Sequence, residues 1–147
     1  AELISDHIEG KMPIIYACDG YEGMAVRFRQ QLNENAKMLC WHNIVPEMNH
    51  NELVGWRNKD ENLAVIFFRN DTDYTRNQKR LEINKEVISK YTSSVMEYWS
   101  KGESMIEKTF YFVNVGDHVS YIISKRNGVV AEEIGVIDNL KESLAKF

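Results

Sequence analysis

Several common signatures are missing from this sequence. No apolar run approaches the roughly 18 residues that cross a membrane, and no segment of signal-peptide composition opens it. There is no G-x-G-x-x-G, no G-x-x-x-x-G-K-[ST] and no G-x-S-x-G, so dinucleotide, P-loop and serine-hydrolase chemistry lack their usual marks. A Ser/Thr/Gly phosphate loop is also absent; Ser93-Ser94 comes nearest and opens a strand. The net charge is −4, with Lys and Arg scattered, which disfavours nucleic-acid binding by phosphate neutralisation. The only cysteines, Cys18 and Cys40, have apolar neighbours and no C-x-x-C spacing. They read as buried free thiols in a reducing compartment, hence a cytoplasmic protein. The only prolines, Pro13 and Pro46, precede or begin an element, where a missing N–H does least harm.

What is present is ordinary globular material. Hydrophobic residues make up 44% and charged residues 27% of 147, enough for one domain with a real core. The chain starts at Ala1 rather than Met, which reads as a piece cut from something longer. Leu3, Ile4 and Ile8 have helical spacing and stop at Gly10. "MPIIYAC" and "LAVIFFRN" (63–70) are continuous apolar runs, as in strands buried on both faces. Between them, Ala25, Phe28, Leu32, Ala36 and Leu39 mark an amphipathic helix over roughly 22–38. Leu81, Ile83, Val87, Ile88 and Tyr91 suggest a second surface helix, and "SSVMEYWS" (93–100) a further strand. A long helix over 103–126, a linker "NGVVAEE" and a last helix over 134–146 close the chain. That last helix carries Ile134, Ile137, Leu140 and Leu144 on one face. Alternating strands and helices predict an α/β layered fold with a mainly parallel sheet.

Three ionisable residues stand out. Glu34 lies two positions past Leu32, about 200° round the helix and so off the buried stripe. Asn33 and Asn35 flank it, although asparagine is a mediocre helix former. Either the helix simply ends there, or a carboxylate is held by amides at the mouth of a cleft. His50, in "PEMNHNELVGW", is enclosed by Asn49 and Asn51 in the same way. Pro46 suits the first turn of a helix and Glu47 its positive end. His50 is either a satisfied structural histidine or, with Glu34, half of an acid–base pair tunable towards neutral pH. His42 and His50 lack the i, i+4 spacing of a helical metal pair and no cysteine cluster joins them, so no metal site is expected. Lys141 turns about 100° off the apolar stripe at Leu140; from periodicity alone it is an ordinary exposed lysine.

"RFRQQLNENAKML", then "PEMNHNELVGW", and near the end "NLKESL", with "MPIIYAC", "VGDHVSYI" (115–122) and "VIDNLKESL" in order, resemble the C-terminal half of the bifunctional phosphoglucose/phosphomannose isomerases. These belong to the phosphoglucose isomerase superfamily and are built from two sugar-isomerase (SIS) domains. The resemblance covers essentially the whole chain. It implies one SIS domain over 1–147, a doubly wound three-layer α/β/α fold with a mainly parallel sheet. It also implies a sugar 6-phosphate substrate, with glucose 6-phosphate and fructose 6-phosphate interconverting and mannose 6-phosphate a further candidate.

The resemblance assigns roles as well. Glu34 matches the base that moves a proton between C1 and C2 through a cis-enediol. His50 matches a histidine that assists ring opening from the partner subunit of a homodimer, and Lys141 a lysine at the same ring-opening end. The asparagines would then orient the carboxylate and the imidazole. Such an isomerisation needs neither metal nor redox cofactor. The family's Ser/Thr-rich phosphate loop and an arginine near the reacting carbons belong to a first SIS domain that is not in these residues. Two rivals stay open: a non-catalytic SIS module that binds sugar phosphate or dimerises, and a different phosphosugar isomerase on the same scaffold.

Overall fold

A computed structural model describes all 147 residues and realises the alternation as a parallel sheet of four strands in the order β2-β1-β3-β4. The strands are β1 (Met12–Cys18), β2 (Trp41–Val45), β3 (Leu63–Arg69) and β4 (Val95–Trp99). Helices α1 (Glu2–Ile8), α2 (Glu22–Ala36) and α4 (Met105–Arg126) cover one face. The other face is covered by α3 (Thr75–Ile88) and by the connection after β2, which forms two 3-10 turns at Glu47–Asn49 and Glu52–Gly55. The doubly wound, three-layer expectation is met.

The two central strands explain why. β1 and β3 send Ile15, Ala17, Ala64, Ile66 and Phe68 to the α1/α2/α4 side. They send Ile14, Tyr16, Cys18, Val65 and Phe67 to the opposite side. A strand packed on both faces needs apolar residues at successive positions, and that made these two legible. β2 carried no such signal and was not predicted. As an edge strand it leaves four of its five residues, Trp41 to Ile44, only half-buried, so His42 and Asn43 are tolerated there.

Smaller differences have equally local causes. α2 ends at Ala36, because Lys37 adopts a left-handed conformation with φ of 53°; Leu39, expected on the buried stripe, is therefore 77% exposed. In α3 Asn84, not Ile83, turns inward, where its side chain bonds Asn49. The segment after Pro46 is a 3-10 turn rather than an α-helix. Cys18 is buried, Cys40 only half-buried, and both are free; burial pushes the Cys40 thiol up to about 11. Helix α5 (Gly135–Leu144) buries none of its residues, so the apolar stripe of Ile137, Leu140 and Leu144 faces outward. No helix is long and apolar enough to cross a membrane.

The tightest helix contact is between α2 and α4. A Cβ at Gly116 would lie 2.9 Å from the Phe28 ring, and that ring stands edge-on to Phe68, which in turn meets Phe112. Glycine is needed here for close approach, not for a special backbone angle. Gly116→Val is therefore expected to destabilise the domain by about 1–3 kcal/mol. A thermal melt checks this, since each kcal/mol lowers the midpoint by about 2–4 °C; an unchanged midpoint would contradict the packing described.

Candidate active site

Parallel strand order dictates where the site residues fall. β1 and β2 run side by side from Ile14↔Trp41 to Cys18↔Val45, so α2 must carry the chain back between them. Its last turn, with Glu34, consequently sits beside the start of β2, where Asn33 Nδ2 reaches Cys40 Sγ at 3.7 Å. His50 lies past the far end of the same strand, following the turn Glu47–Asn49. β2 alone spans roughly 15 Å at ~3.3 Å per residue. Within one chain Glu34 and His50 are thus at opposite ends of the sheet.

Glu34 is exposed and borders an open groove of about 670 Å³ between the C-terminal half of α2 and residues 133–137. Arg27, Gln31, Glu34 and Lys37 form one wall; Ile134 and Ile137 contribute to the other. Lys37 fastens the two walls together. Its ammonium donates to the carbonyl oxygens of Glu34 at 2.6 Å, Ala131 at 3.2 Å and Glu133 at 2.5 Å. A cation on the last carbonyls of a helix also complements its dipole. Lys141 follows one turn after Ile137 on the same side of α5, outside the groove lining. Its ammonium stands 3.6 Å from Asp138, and both side chains are exposed, so the pair holds it weakly.

The flanking amides do not orient the ionisable groups, contrary to expectation. Asn33 donates to the Met38 carbonyl at 2.8 Å and closes the turn after α2. Asn35 bonds Gln31 at 2.7 Å and Ser120 at 2.9 Å, tying α2 to α4. Asn49 donates to Asn84 in α3, and Asn51 donates to Glu47 at 2.9 Å. Asn51 also accepts from the Glu52 N–H and so caps the second 3-10 turn. All four satisfy irregular backbone or link elements, which is the usual employment of short amides.

In open parallel sheets a ligand crevice commonly lies at the C-terminal strand ends where strand order reverses. Here that point is between β1 and β3. Asp19, Asp71 and Asp73 follow those two strands. The buried Lys108 is already paired with Asp71, and burial raises the Asp73 carboxyl above the usual range. With its ammonium held by Asp71, Lys108 is not free to take a phosphate group, in accord with the missing phosphate loop.

Two residues were not anticipated. Lys37 gave no signal because its partners, Ala131 and Glu133, are remote in sequence. Glu52 lies inside the quoted motif, yet its three donors come from Tyr16 of β1 and from Trp41 and Asn43 of the unpredicted β2.

Fold and site together define a doubly wound parallel α/β domain with a carboxylate-bearing groove beside its second helix. A glucose-6-phosphate isomerase like protein from Thermus thermophilus shares this fold with a TM-score of 0.74 at 14% identity, over 92% of this chain and 46% of that one. The chain belongs to the bacterial phospho-glucose isomerase C-terminal SIS domain family, which matches residues 1–144. A bifunctional phosphoglucose/phosphomannose isomerase of Thermoplasma acidophilum is 29% identical over 92% of this chain and 43% of its own length. A D-glucosamine-6-phosphate 4-epimerase of Sulfolobus acidocaldarius is 42% identical over 95% of this chain and 42% of its own. The chain therefore spans less than half the length of these curated relatives.

Because one ammonium links α2 to the segment leading into α5, Lys37→Met is expected to loosen the groove without unfolding the core. Amide exchange over residues 129–140 should quicken about tenfold, as loss of charge-assisted hydrogen bonds implies, while β1 and β3 stay protected. Equal acceleration everywhere would show that Lys37 supports the whole domain instead.

Proposed function

We propose that this chain is the C-terminal half of a sugar-phosphate isomerase that interconverts glucose 6-phosphate, or mannose 6-phosphate, with fructose 6-phosphate. Family membership over nearly the whole chain, with Glu34 on the wall of an open groove, carries this reading. Glu34 removes the proton from C2 of the open-chain aldose, giving a cis-enediol, and returns it to C1 to form the ketose. A base so placed contributes roughly 10²–10⁴-fold.

His50 and Lys141 act on ring opening. His50 is exposed and far from Glu34 of its own chain, which favours service to a neighbouring site in a homodimer. The phosphate is held by a preceding SIS domain. The relatives' greater length supports that partner, as does the outward apolar stripe of α5.

A second reading has its own observation. The 42% identity to a D-glucosamine-6-phosphate 4-epimerase exceeds the 29% to the Thermoplasma isomerase. On this reading the same scaffold acts at C4 of an amino-sugar phosphate. One experiment separates the two. The whole gene product that contains this chain is given fructose 6-phosphate in a coupled glucose 6-phosphate assay, and separately glucosamine 6-phosphate with products followed by NMR. Isomerisation that falls at least about 10²-fold in Glu34→Gln supports the first reading; epimerisation without isomerisation replaces it. Sugar-phosphate binding with neither turnover would mark a non-catalytic module.

A further inference from the structure

The segment Pro46–Trp56 carries His50 across the face of β1 and β2 without an α-helix to stiffen it. It is nevertheless fixed on both sides of the histidine. Before His50, Met48 is fully buried in the second core and Asn49 bonds Asn84. After it, the Glu52 carboxylate gathers three donors from the sheet edge. Oε1 accepts from the Tyr16 hydroxyl and, at 3.3 Å, from Trp41 Nε1; Oε2 accepts from Asn43 Nδ2 at 2.8 Å. The Tyr16 hydroxyl in turn accepts from Trp56 Nε1 at 3.2 Å, closing the network at the end of the segment. Burial, reinforced by the neighbouring Glu52 charge, pushes the Tyr16 hydroxyl far up, so it remains a donor. His50 itself is exposed, and no side-chain partner fixes it within the chain.

We infer that Glu52 is the positioning residue for His50: its carboxylate clamps the 3-10 segment to β1 and β2 and so fixes the direction in which the imidazole leaves the chain. The inference rests on the proposed ring-opening role of His50 and adds to it the residue through which the fold aims that group. A carboxylate is required, because it offers acceptors only. The Asn43 amide cannot turn to suit a glutamine, since its Oδ1 already accepts from the Ile44 N–H at 2.8 Å. With Gln at position 52, one N–H donor from Trp41 or Asn43 therefore meets an NH2 group. A displacement of about 1 Å in a reacting group costs on the order of 10²-fold in rate.

The test is a double-mutant cycle on the whole gene product, read as kcat/KM for fructose 6-phosphate, with circular dichroism confirming the fold of each variant. Glu52→Gln is expected to lose about tenfold to a hundredfold when His50 is present and less than about twofold in a His50→Ala background. Tyr16→Phe keeps the stacking on Phe67 and removes one donor; it should show a smaller loss that also vanishes without His50, and it carries the test if Glu52→Gln does not fold. Equal losses in both backgrounds would overturn the inference, since Glu52 would then support the domain and not the histidine. Full activity of Glu52→Gln beside an impaired His50→Ala overturns the positioning role alone. Full activity of His50→Ala, or a wild type that does not turn over fructose 6-phosphate, refutes the reading of His50 and the clamp with it.

Discussion

Burial of β1 and β3 on both faces is the constraint from which the rest of this domain follows. Of their 14 residues, only Met12 and Leu63 escape full burial. Each large apolar side chain so enclosed contributes about 1.5–3 kcal/mol, a benefit available only if helices are delivered to both sides. Parallel strands cannot be joined by tight turns, so every connection must cross a face of the sheet. The right number of crossovers in each direction yields the three layers, with α1, α2 and α4 on one side and α3 with the 3-10 turns on the other.

The same rule determines where chemistry can occur. A residue late in a crossover helix lies at the N-terminal edge of the sheet; a residue just after a strand lies at the C-terminal edge. Glu34 is the first kind and His50 the second, so no adjustment of side chains brings them together in one subunit. If both serve one site, as proposed, they come to it from two subunits, and the outward aim of each then matters more than the distance between them within a chain. The groove wall is held by Lys37, and the segment carrying His50 is held by Met48, Asn49 and Glu52. Glu34 is presented from the last turn of α2 and His50 from an irregular segment, and both supports are well tied down.

Legibility in the sequence tracked how local the cause was. β1 and β3 declared themselves through consecutive apolar residues, and α2 through its 3.6-residue period down to Ala36. β2 did not, because an edge strand with His42 and Asn43 resembles a loop when its only neighbour, β1, is unknown. The end of α2 was overrun by two residues because the left-handed turn at Lys37 gains its support from Ala131 and Glu133, far along the chain. α5 was read correctly as a helix, and its hydrophobic side was visible. That this side faces away from the core could not be read from the helix itself, since periodicity shows that a face will be covered and not by what.

The amide-rich motifs show how structural and chemical roles divide between adjacent positions. Asparagine beside an ionisable residue suggested a polar cage, yet every one of the four amides bonds elsewhere: Asn33 and Asn51 to local turns, Asn35 to α4 and Asn49 to α3. Alternation along the chain explains this. Where the backbone leaves regular structure, neighbouring side chains point in different directions, and short amides supply the hydrogen bonds that helix or ladder no longer provides. The intervening Glu34 and His50 are thereby left pointing outward, free of internal partners. The composition that weakens a helix at residue 35 and forbids one at residue 50 is thus the composition that stabilises the breaks and exposes what lies between them. A caged carboxylate would have been spent on its own domain; an uncaged one on a firm support is available to a substrate.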